Sequence, residues 1–207
     1  MPMAADETPG TALISRRRVL AGGALLAAVP ARAMAATSGL NPALLQQARA
    51  AFDRHADRIT NRQIIAIADY GLHSAQPRFF LFAPDSGAIT SLRVAHGRGS
   101  DPAHTGYLQH FSARPGSAAS SDGAYLAGVP YVGQHGRSRR LIGLDPQNST
   151  AEARAIVIHG AWYCEPGVVQ QTGKLGRSEG CFAFSAGDAA LVLDRLPAGC
   201  LLYSGRA

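Results

Sequence analysis

Two residues of the 207-residue chain have types and positions suited to covalent catalysis: Cys181, in the segment GRSEGC, and His159, in the segment AIVIHG. A thiolate is the nucleophilic form of cysteine, and a neighbouring imidazole lowers the pKa of the thiol and accepts its proton. His159 ends an apolar run, where a buried strand first meets solvent. The pair predicts a cysteine nucleophile with a histidine base, although spacing alone leaves a chance pairing open.

The segments around Cys181 favour an accessible nucleophile. Gly176 and Gly180 allow a sharp turn and a close approach of substrate to the backbone. A short helix is expected soon after the cysteine, with Ser185 as its N-cap and Asp188 three residues later. Free N–H groups and the dipole of such a helix would stabilise a thiolate, and adjacent amides could form an oxyanion hole.

The remaining cysteines favour packing over metal binding. Cys164 and Cys200 complete an odd total of three, so at least one thiol is free or pairs with another chain. A disulfide between Cys164 and Cys200 is open, but Cys200 lies in an apolar strand and is interpreted as a small buried hydrophobe. The paired short spacings of a zinc site and the H-E-x-x-H pattern are both missing, so no metal or other cofactor is expected.

The first 36 residues resemble an export signal with its cleavage region. A basic start at residues 15–18 precedes a short apolar run and A-x-A sites at residues 31–35, and the arginine pair is typical of the twin-arginine type. A basic tail with a chance apolar stretch is the alternative. Nothing later in the sequence is apolar enough to cross a membrane. The predicted location is therefore the periplasm or cell envelope.

The charge of the predicted mature chain excludes few functions. Removing the four arginines and two acids of residues 1–33 from a net charge of +6 leaves +4. That charge is scattered and little interleaved with aromatic residues, which argues against a nucleic-acid surface. A modestly basic body suits an anionic envelope polymer.

The elements that position Cys181 and His159 are predicted to be mainly strands. Residues 37–61 contain one amphipathic helix, capped by Asn41 and begun by Pro42. Residues 62–207 then form one mainly antiparallel β domain of short strands, with a hairpin turning at residues 84–87. Residues 97–123 lack periodicity and are interpreted as a long functional loop.

Several segments together resemble one enzyme family. "AIVIHGAWY" followed by "GRSEGC" is similar to the L,D-transpeptidase catalytic domain, and to its murein L,D-transpeptidase branch with the GRSxGC motif. "ADYGLHSAQPRFFLF", "VAHGRGS" and "RLIGLDP" are also similar to that branch. The resemblance spans residues 62–205. It implies a β-sandwich-like catalytic fold that acts on peptidoglycan stem peptides.

The resemblance also implies roles for individual residues. Cys181 would be the nucleophile and His159 its base, oriented by the backbone carbonyl of Gly160. Ser178 and Gly180 would shape the nucleophile loop, with the amides of Gly180 and Cys181 facing the oxyanion.

Two positions depart from the family pattern. Glu179 stands where the broader family has histidine, and Phe182 stands where the branch has proline. Both put donor and acceptor preference in doubt. Glu179 is expected to point outward, because an inward carboxylate would raise the pKa of the thiol.

Four further residues are candidates for substrate binding. Arg177 could hold a substrate carboxylate or be a solvated loop arginine. Trp162 and Tyr163 could wall the acyl-donor groove, although a single tryptophan in a β domain more often lies in the core. His96 could line the cleft, and the favoured alternative is a hydrogen-bonded histidine at a strand end. The other histidines, His55, His73, His104, His110 and His135, are interpreted as surface residues.

The expected function is L,D-transpeptidation in the cell envelope. Cys181 would form a thioester with a tetrapeptide stem and transfer it to an amine, giving a 3-3 cross-link, or to water. One alternative is a sortase-like cysteine transpeptidase, which needs an arginine soon after the cysteine on a following strand. Another is a peptidoglycan-binding module without catalysis. The acyl acceptor and the oligomeric state stay open.

Overall fold

Eight strands and three α-helices form the part of the chain that the computed structural model describes, residues 39–207. The predicted export signal, residues 1–36, lies outside the described residues. The strands are β1 (Ile65–Asp69), β2 (Phe79–Phe82), β3 (Ile89–Leu92), β4 (Gly123–Gly133), β5 (Gly136–Gly143), β6 (Val157–Gly160), β7 (Phe182–Phe184) and β8 (Leu201–Gly205). The helices are α1 (Pro42–Arg54), α2 (Pro166–Thr172) and α3 (Ala186–Arg195).

All eight strands belong to one sheet with the order β3-β2-β1-β8-β4-β5-β6-β7. The pairs β1–β8 and β6–β7 are parallel, and the other neighbours are antiparallel. The predicted hairpin at residues 84–87 joins β2 to β3, with Phe82 opposite Ile89. The mainly β class predicted from the sequence is confirmed.

The sheet folds over so that its two ends meet around a core. Just beyond β3, the N–H of Ala95 donates to the carbonyl oxygen of Ala183 in β7 at 2.9 Å. Phe79 of β2 and Phe184 of β7 pack edge to face, with ring centroids 4.9 Å apart. A single sheet therefore supplies both layers of the predicted sandwich, and burial of these aromatic rings contributes a large share of its stability.

The leading helix covers the outer face of the sheet. Asn41 caps α1 by accepting a hydrogen bond from the N–H of Ala43 at 2.9 Å, and Pro42 occupies the first turn. Its apolar side chains pack against β1, β2 and β8 in a second buried cluster; they are Leu44, Leu45, Ala48 and Ala51. The amphipathic helix predicted within residues 37–61 is thus integral to the fold.

The helix after Cys181 also forms as predicted. Ser185 caps α3 by accepting a hydrogen bond from the N–H of Asp188 at 3.2 Å. Two elements were not predicted from the sequence: β7, which lies between Cys181 and α3, and α2. The three residues of β7 are too few to show an alternating pattern, and they become a strand only because β6 is beside them.

The long segment predicted as a functional loop runs between β3 and β4 and contains a 3-10 turn at Arg98–Ser100. All three cysteines are free thiols, and Cys164 and Cys200 are buried in different clusters. Within residues 39–207, no helix is both long and apolar enough to span a membrane.

Candidate active site

Cys181 and His159 are held on neighbouring strands. His159 pairs with Ala183 in the parallel ladder between β6 and β7, and Cys181 lies two residues before Ala183. A two-residue offset between adjacent strands corresponds to roughly 8 Å between Cα atoms, within which the two side chains can face the same space. Both side chains line one cavity of about 980 Å³, which we call the Cys181 cleft.

The imidazole of His159 has a fixed tautomer. Its Nδ1–H donates to the carbonyl oxygen of Gly160 at 2.9 Å, because a carbonyl can only accept. Nε2 is therefore the nitrogen with a free lone pair, as a general base requires. Burial lowers the pKa of His159, the hydrogen bond to Gly160 partly opposes this, and the nearby His135 lowers it further. The residue is thus held neutral.

His135 is a feature of the site that the sequence interpretation missed. Its ring stacks on that of His159, with centroids 4.2 Å apart and an angle of 23° between the planes. It lies in the two-residue turn of the β4–β5 hairpin, and β5 pairs with β6, the strand that contains His159. The interpretation as a surface residue correctly gives its exposure, but only the pairing of β5 with β6 brings it to His159.

The environment of Cys181 favours the neutral thiol. Burial raises its pKa; a backbone hydrogen bond from Val157 and the charge of Arg154 lower it, and Glu179 raises it. The helix dipole expected to assist does not reach the thiol. Strand β7 intervenes, and the first N–H of α3, on Ala186, donates to Glu165 Oε1 at 2.8 Å. The resting pair is therefore a thiol and a neutral imidazole.

Ser178 organises the backbone of the nucleophile loop. Its hydroxyl donates to the carbonyl oxygen of Cys181 at 2.7 Å and accepts from the N–H of Gly180 at 3.1 Å. Its backbone bonds to the 93–98 segment, through the carbonyl oxygen of His96 and the N–H of Arg98. The Gly180 amide, predicted to face an oxyanion, is consequently already engaged, so that part of the prediction is wrong.

Glycine is required at position 180. Its φ is +111°, and a Cβ there would lie 2.5 Å from the carbonyl oxygen of Ala119 and 2.8 Å from Nη2 of Arg154. The loop between β3 and β4 packs directly against the nucleophile loop at this point. Any side chain would push the two loops apart.

Arg154 is a second residue that the sequence interpretation missed. Its guanidinium lines the Cys181 cleft and donates to the carbonyl oxygens of Ser112, at 2.9 Å, and Ala119. Among the described residues it has no carboxylate partner. No pattern in the sequence singles it out, because it follows a turn and is brought beside Cys181 only by the packing of the long loop.

Of the two aromatic residues predicted to bind substrate, Tyr163 lines the cleft and Trp162 does not. Tyr163 is half-buried and lines the Cys181 cleft. Trp162 is 78% exposed in the 3-10 turn Trp162–Cys164, packs edge to face on Tyr163, and is absent from the lining of the cleft. The core position favoured for this tryptophan is wrong, because the turn directs its ring to solvent.

Arg177 lines the cleft but is anchored by the protein. Its Nη1 donates to the carbonyl oxygens of Asp101 and, at 3.1 Å, of Pro102. These bonds to neutral acceptors hold the guanidinium without neutralising it, so it retains a charge that a substrate carboxylate could meet.

His96 does not reach the cleft. The residue is 1% exposed, accepts a hydrogen bond from Arg78 at Nδ1 (2.8 Å) and donates from Nε2 to Asp101 (3.3 Å). Burial, with the adjacent Arg78, lowers its pKa to about 3. This burial contradicts a substrate-binding role for His96, and the hydrogen-bonded alternative describes the residue.

The two departures from the family pattern have structural explanations. Glu179 points outward as expected: its side chain is 76% exposed, and its Oε1 accepts from Arg98 at 3.1 Å. Phe182 is 1% exposed and enters the core, where its ring packs edge to face on Tyr125 with centroids 5.5 Å apart. A bulky residue after the nucleophile thus fills the space between the sheet layers.

Within residues 39–207, no group of three or more histidine, cysteine or acidic side chains is arranged to hold a metal ion. What the site contains is a half-buried thiol and a neutral imidazole with a fixed tautomer, set in a cleft of a folded β-sheet. A thiol and a neutral imidazole in one cleft are the groups that cysteine-dependent acyl transfer requires.

The sequence identifies the family of the chain. The family model of the L,D-transpeptidase catalytic domain, YkuD_2, matches residues 36–204, and the chain belongs to this family. The resemblance to the L,D-transpeptidase catalytic domain is confirmed. No curated protein matches the chain.

Solved structures with a similar fold are L,D-transpeptidases of low sequence identity. LdtMt1 in complex with imipenem is 14% identical with a TM-score of 0.42; the match covers 69% of this chain and 59% of that one. An L,D-transpeptidase from Mycobacterium tuberculosis H37Rv is 13% identical with a TM-score of 0.45, covering 70% and 58%. One from Xylanimonas cellulosilytica is 14% identical with a TM-score of 0.42, covering 84% and 77%. The chain thus spans less than two-thirds of the first two.

Proposed function

We propose that this protein is a peptidoglycan L,D-transpeptidase that uses Cys181 as its nucleophile and acts in the cell envelope. The observation that carries the proposal is the meeting of His159 and Cys181 in one cleft, with His159 Nδ1 tied to Gly160 and Nε2 left as the base. Membership of the L,D-transpeptidase catalytic domain family supports the reaction type.

The first half-reaction forms a thioester. As the sulfur of Cys181 attacks the carbonyl carbon on the L-centre of the third stem residue, His159 Nε2 takes the thiol proton. The carbonyl oxygen becomes an oxyanion, for which the Cys181 amide is the proposed donor, since Ser178 occupies that of Gly180. The tetrahedral intermediate then breaks its C–N bond. D-alanine leaves as an amine, carrying the proton returned by His159.

The second half-reaction releases the enzyme. An amine of another stem, or water, attacks the thioester carbonyl while His159 Nε2 accepts its proton. The C–S bond breaks, and the proton returns to the sulfur of Cys181. An amine acceptor gives a 3-3 cross-link, and water gives a carboxypeptidase product.

The sortase-like alternative has less support. The first arginine after Cys181 is Arg195, which ends α3 and not a strand. It donates to Thr90 Oγ1 at 2.8 Å and does not line the Cys181 cleft. A binding module without catalysis remains the alternative that an experiment must exclude.

Covalent labelling tests the nucleophile directly. LdtMt1 is described in complex with imipenem, and we expect imipenem to add its mass to this protein in intact-protein mass spectrometry. Cys181→Ala should abolish the adduct, whereas Cys200→Ala, at a cysteine buried in the core, should keep it. Release of D-alanine from a tetrapeptide stem should follow the same pattern. An adduct or release that persists in Cys181→Ala would contradict the mechanism.

A further inference from the structure

The charge of the Cys181 cleft is strongly unbalanced. Among residues 39–207, four arginines and one carboxylate line it; the arginines are Arg98, Arg140, Arg154 and Arg177. The single carboxylate, Glu179, is paired with Arg98. Among the described residues, the other three guanidiniums have no carboxylate partner. A cleft with such an excess of positive charge raises the local concentration of anionic ligands.

The three unpaired arginines are held in different ways. Arg154 and Arg177 donate to backbone carbonyl oxygens, which fixes them in the wall of the cleft. Arg140, on β5, is exposed, and its guanidinium carbon lies over the ring of Tyr131 at 4.7 Å from the centroid. A cation–π contact orients a guanidinium while leaving its N–H groups available for a carboxylate. Arg140 is therefore the arginine best placed to meet a ligand.

We propose that the Cys181 cleft selects peptidoglycan donor stems by their free carboxylates, and that Arg140 is a specificity-determining residue for this choice. The inference rests on the proposed function. An unamidated stem carries carboxylates on its D-glutamate, on the diaminopimelate side chain and on the terminal D-alanine. Amidation of the first two removes their charge while preserving the shape of the stem, so the enzyme should discriminate between the two forms.

The same strand offers a matched control. Arg137 also lies on β5 and is exposed, but it is paired with Asp194 at 2.7 Å and does not line the Cys181 cleft. Replacing Arg137 or Arg140 by glutamine changes the net charge of the protein equally. Only the Arg140→Gln change alters the charge inside the cleft.

The test compares two tetrapeptides, one with free carboxylates and one amidated on D-glutamate and on the diaminopimelate side chain. The measurement is kcat/KM for D-alanine release at low ionic strength. We expect the wild type to prefer the free form about tenfold, as is typical of charge-assisted hydrogen bonds in partly open sites. Arg140→Gln should lose most of this preference, chiefly through KM, and Arg137→Gln should retain it. Added salt should weaken the preference.

The failures of the two proposals can be told apart. Equal turnover of both peptides by the wild type, or faster turnover of the amidated one, overturns the selection but leaves the proposed function standing. A preference that Arg140→Gln retains as fully as Arg137→Gln overturns the role of Arg140. If neither peptide releases D-alanine, the proposed function falls, and the selection falls with it.

Discussion

Replacing Gly180 by alanine should damage both the stability and the reactivity of the site. The backbone at φ +111° is nearly restricted to glycine, which costs a side chain about 1–3 kcal/mol. A Cβ 2.5 Å from the backbone carbonyl oxygen of Ala119 cannot be relieved by turning a side chain, and such overpacking costs another 1–3 kcal/mol or so. The expected loss in free energy of unfolding is thus roughly 2–6 kcal/mol, a large part of the typical stability of a domain.

The same substitution should slow acylation of Cys181. Relief of the clash requires the segment around Cys181 to move away from the loop between β3 and β4. That movement changes the position of the Cys181 sulfur relative to His159. Urea unfolding followed by fluorescence measures the first effect, and the rate of imipenem adduct formation measures the second at a temperature where the variant remains folded. A shift of about 1 Å in a reacting group can cost on the order of a hundredfold in rate.

Gly187→Ala is the matched control. Gly187 lies in the first turn of α3, and among the described residues no atom beyond its own helix backbone and chain neighbours lies within 4 Å of the position of its Cβ. Alanine there should be neutral or stabilising by up to ~1 kcal/mol, with an unchanged rate of acylation. If Gly180→Ala unfolds and acylates like Gly187→Ala, the packing of the two loops does not constrain the nucleophile, and the reasoning is refuted.

Three other substitutions and profiles test separate parts of the site. Arg154→Gln should raise the pKa of Cys181 further, because the positive charge of Arg154 lowers that pKa in the wild type. The pH profile of iodoacetamide alkylation measures the pKa of Cys181, and a profile unchanged from wild type would contradict this role of Arg154. The acid limb of the pH profile of kcat/KM should lie below pH 6.5, because His159 must be neutral to act as a base and its pKa is lowered. His135→Gln should move that limb to higher pH, because His135 lowers the pKa of His159. A wild-type limb at or above pH 6.5 would contradict the lowered pKa of His159. Phe182→Ala should cost about 3–5 kcal/mol in urea unfolding, whereas the exposed Val132→Ala should stay within ~0.5 kcal/mol; similar losses would mean that Phe182 does not fill the core.

Local sequence signals predicted the elements whose causes are local. The cap at Asn41 and the proline after it mark the start of α1, and Ser185 marks the start of α3. Both depend on side chains that bind amides two or three residues away, so the sequence contains the whole interaction. The motifs around His159 and Cys181 indicated the family for a related reason, because each motif is a short contiguous stretch and the two occur in a fixed order along the chain.

Features that depend on the pairing of strands distant in the sequence were not predicted. Strand β7 is too short to show an alternating pattern. Because β7 follows Cys181 directly, the thiol lies next to a strand and not next to the helix N-terminus that was expected to stabilise a thiolate. The exposed Trp162 shows a related limit, because residue type gives only an average tendency to burial.

The sequence by itself determined the family, the mainly β class and the candidate pair Cys181 and His159, because these follow from residue type, motif order and periodicity over short distances along the chain. Only the tertiary structure decided which charges surround them. Arg140 and His135 come from the β4–β5 hairpin and Arg154 from the turn before β6, and all three line the Cys181 cleft because β5, β6 and β7 are adjacent and the loop between β3 and β4 packs across them. Electrostatic interactions act through space, and their partners cannot be identified until the sheet has brought distant segments together.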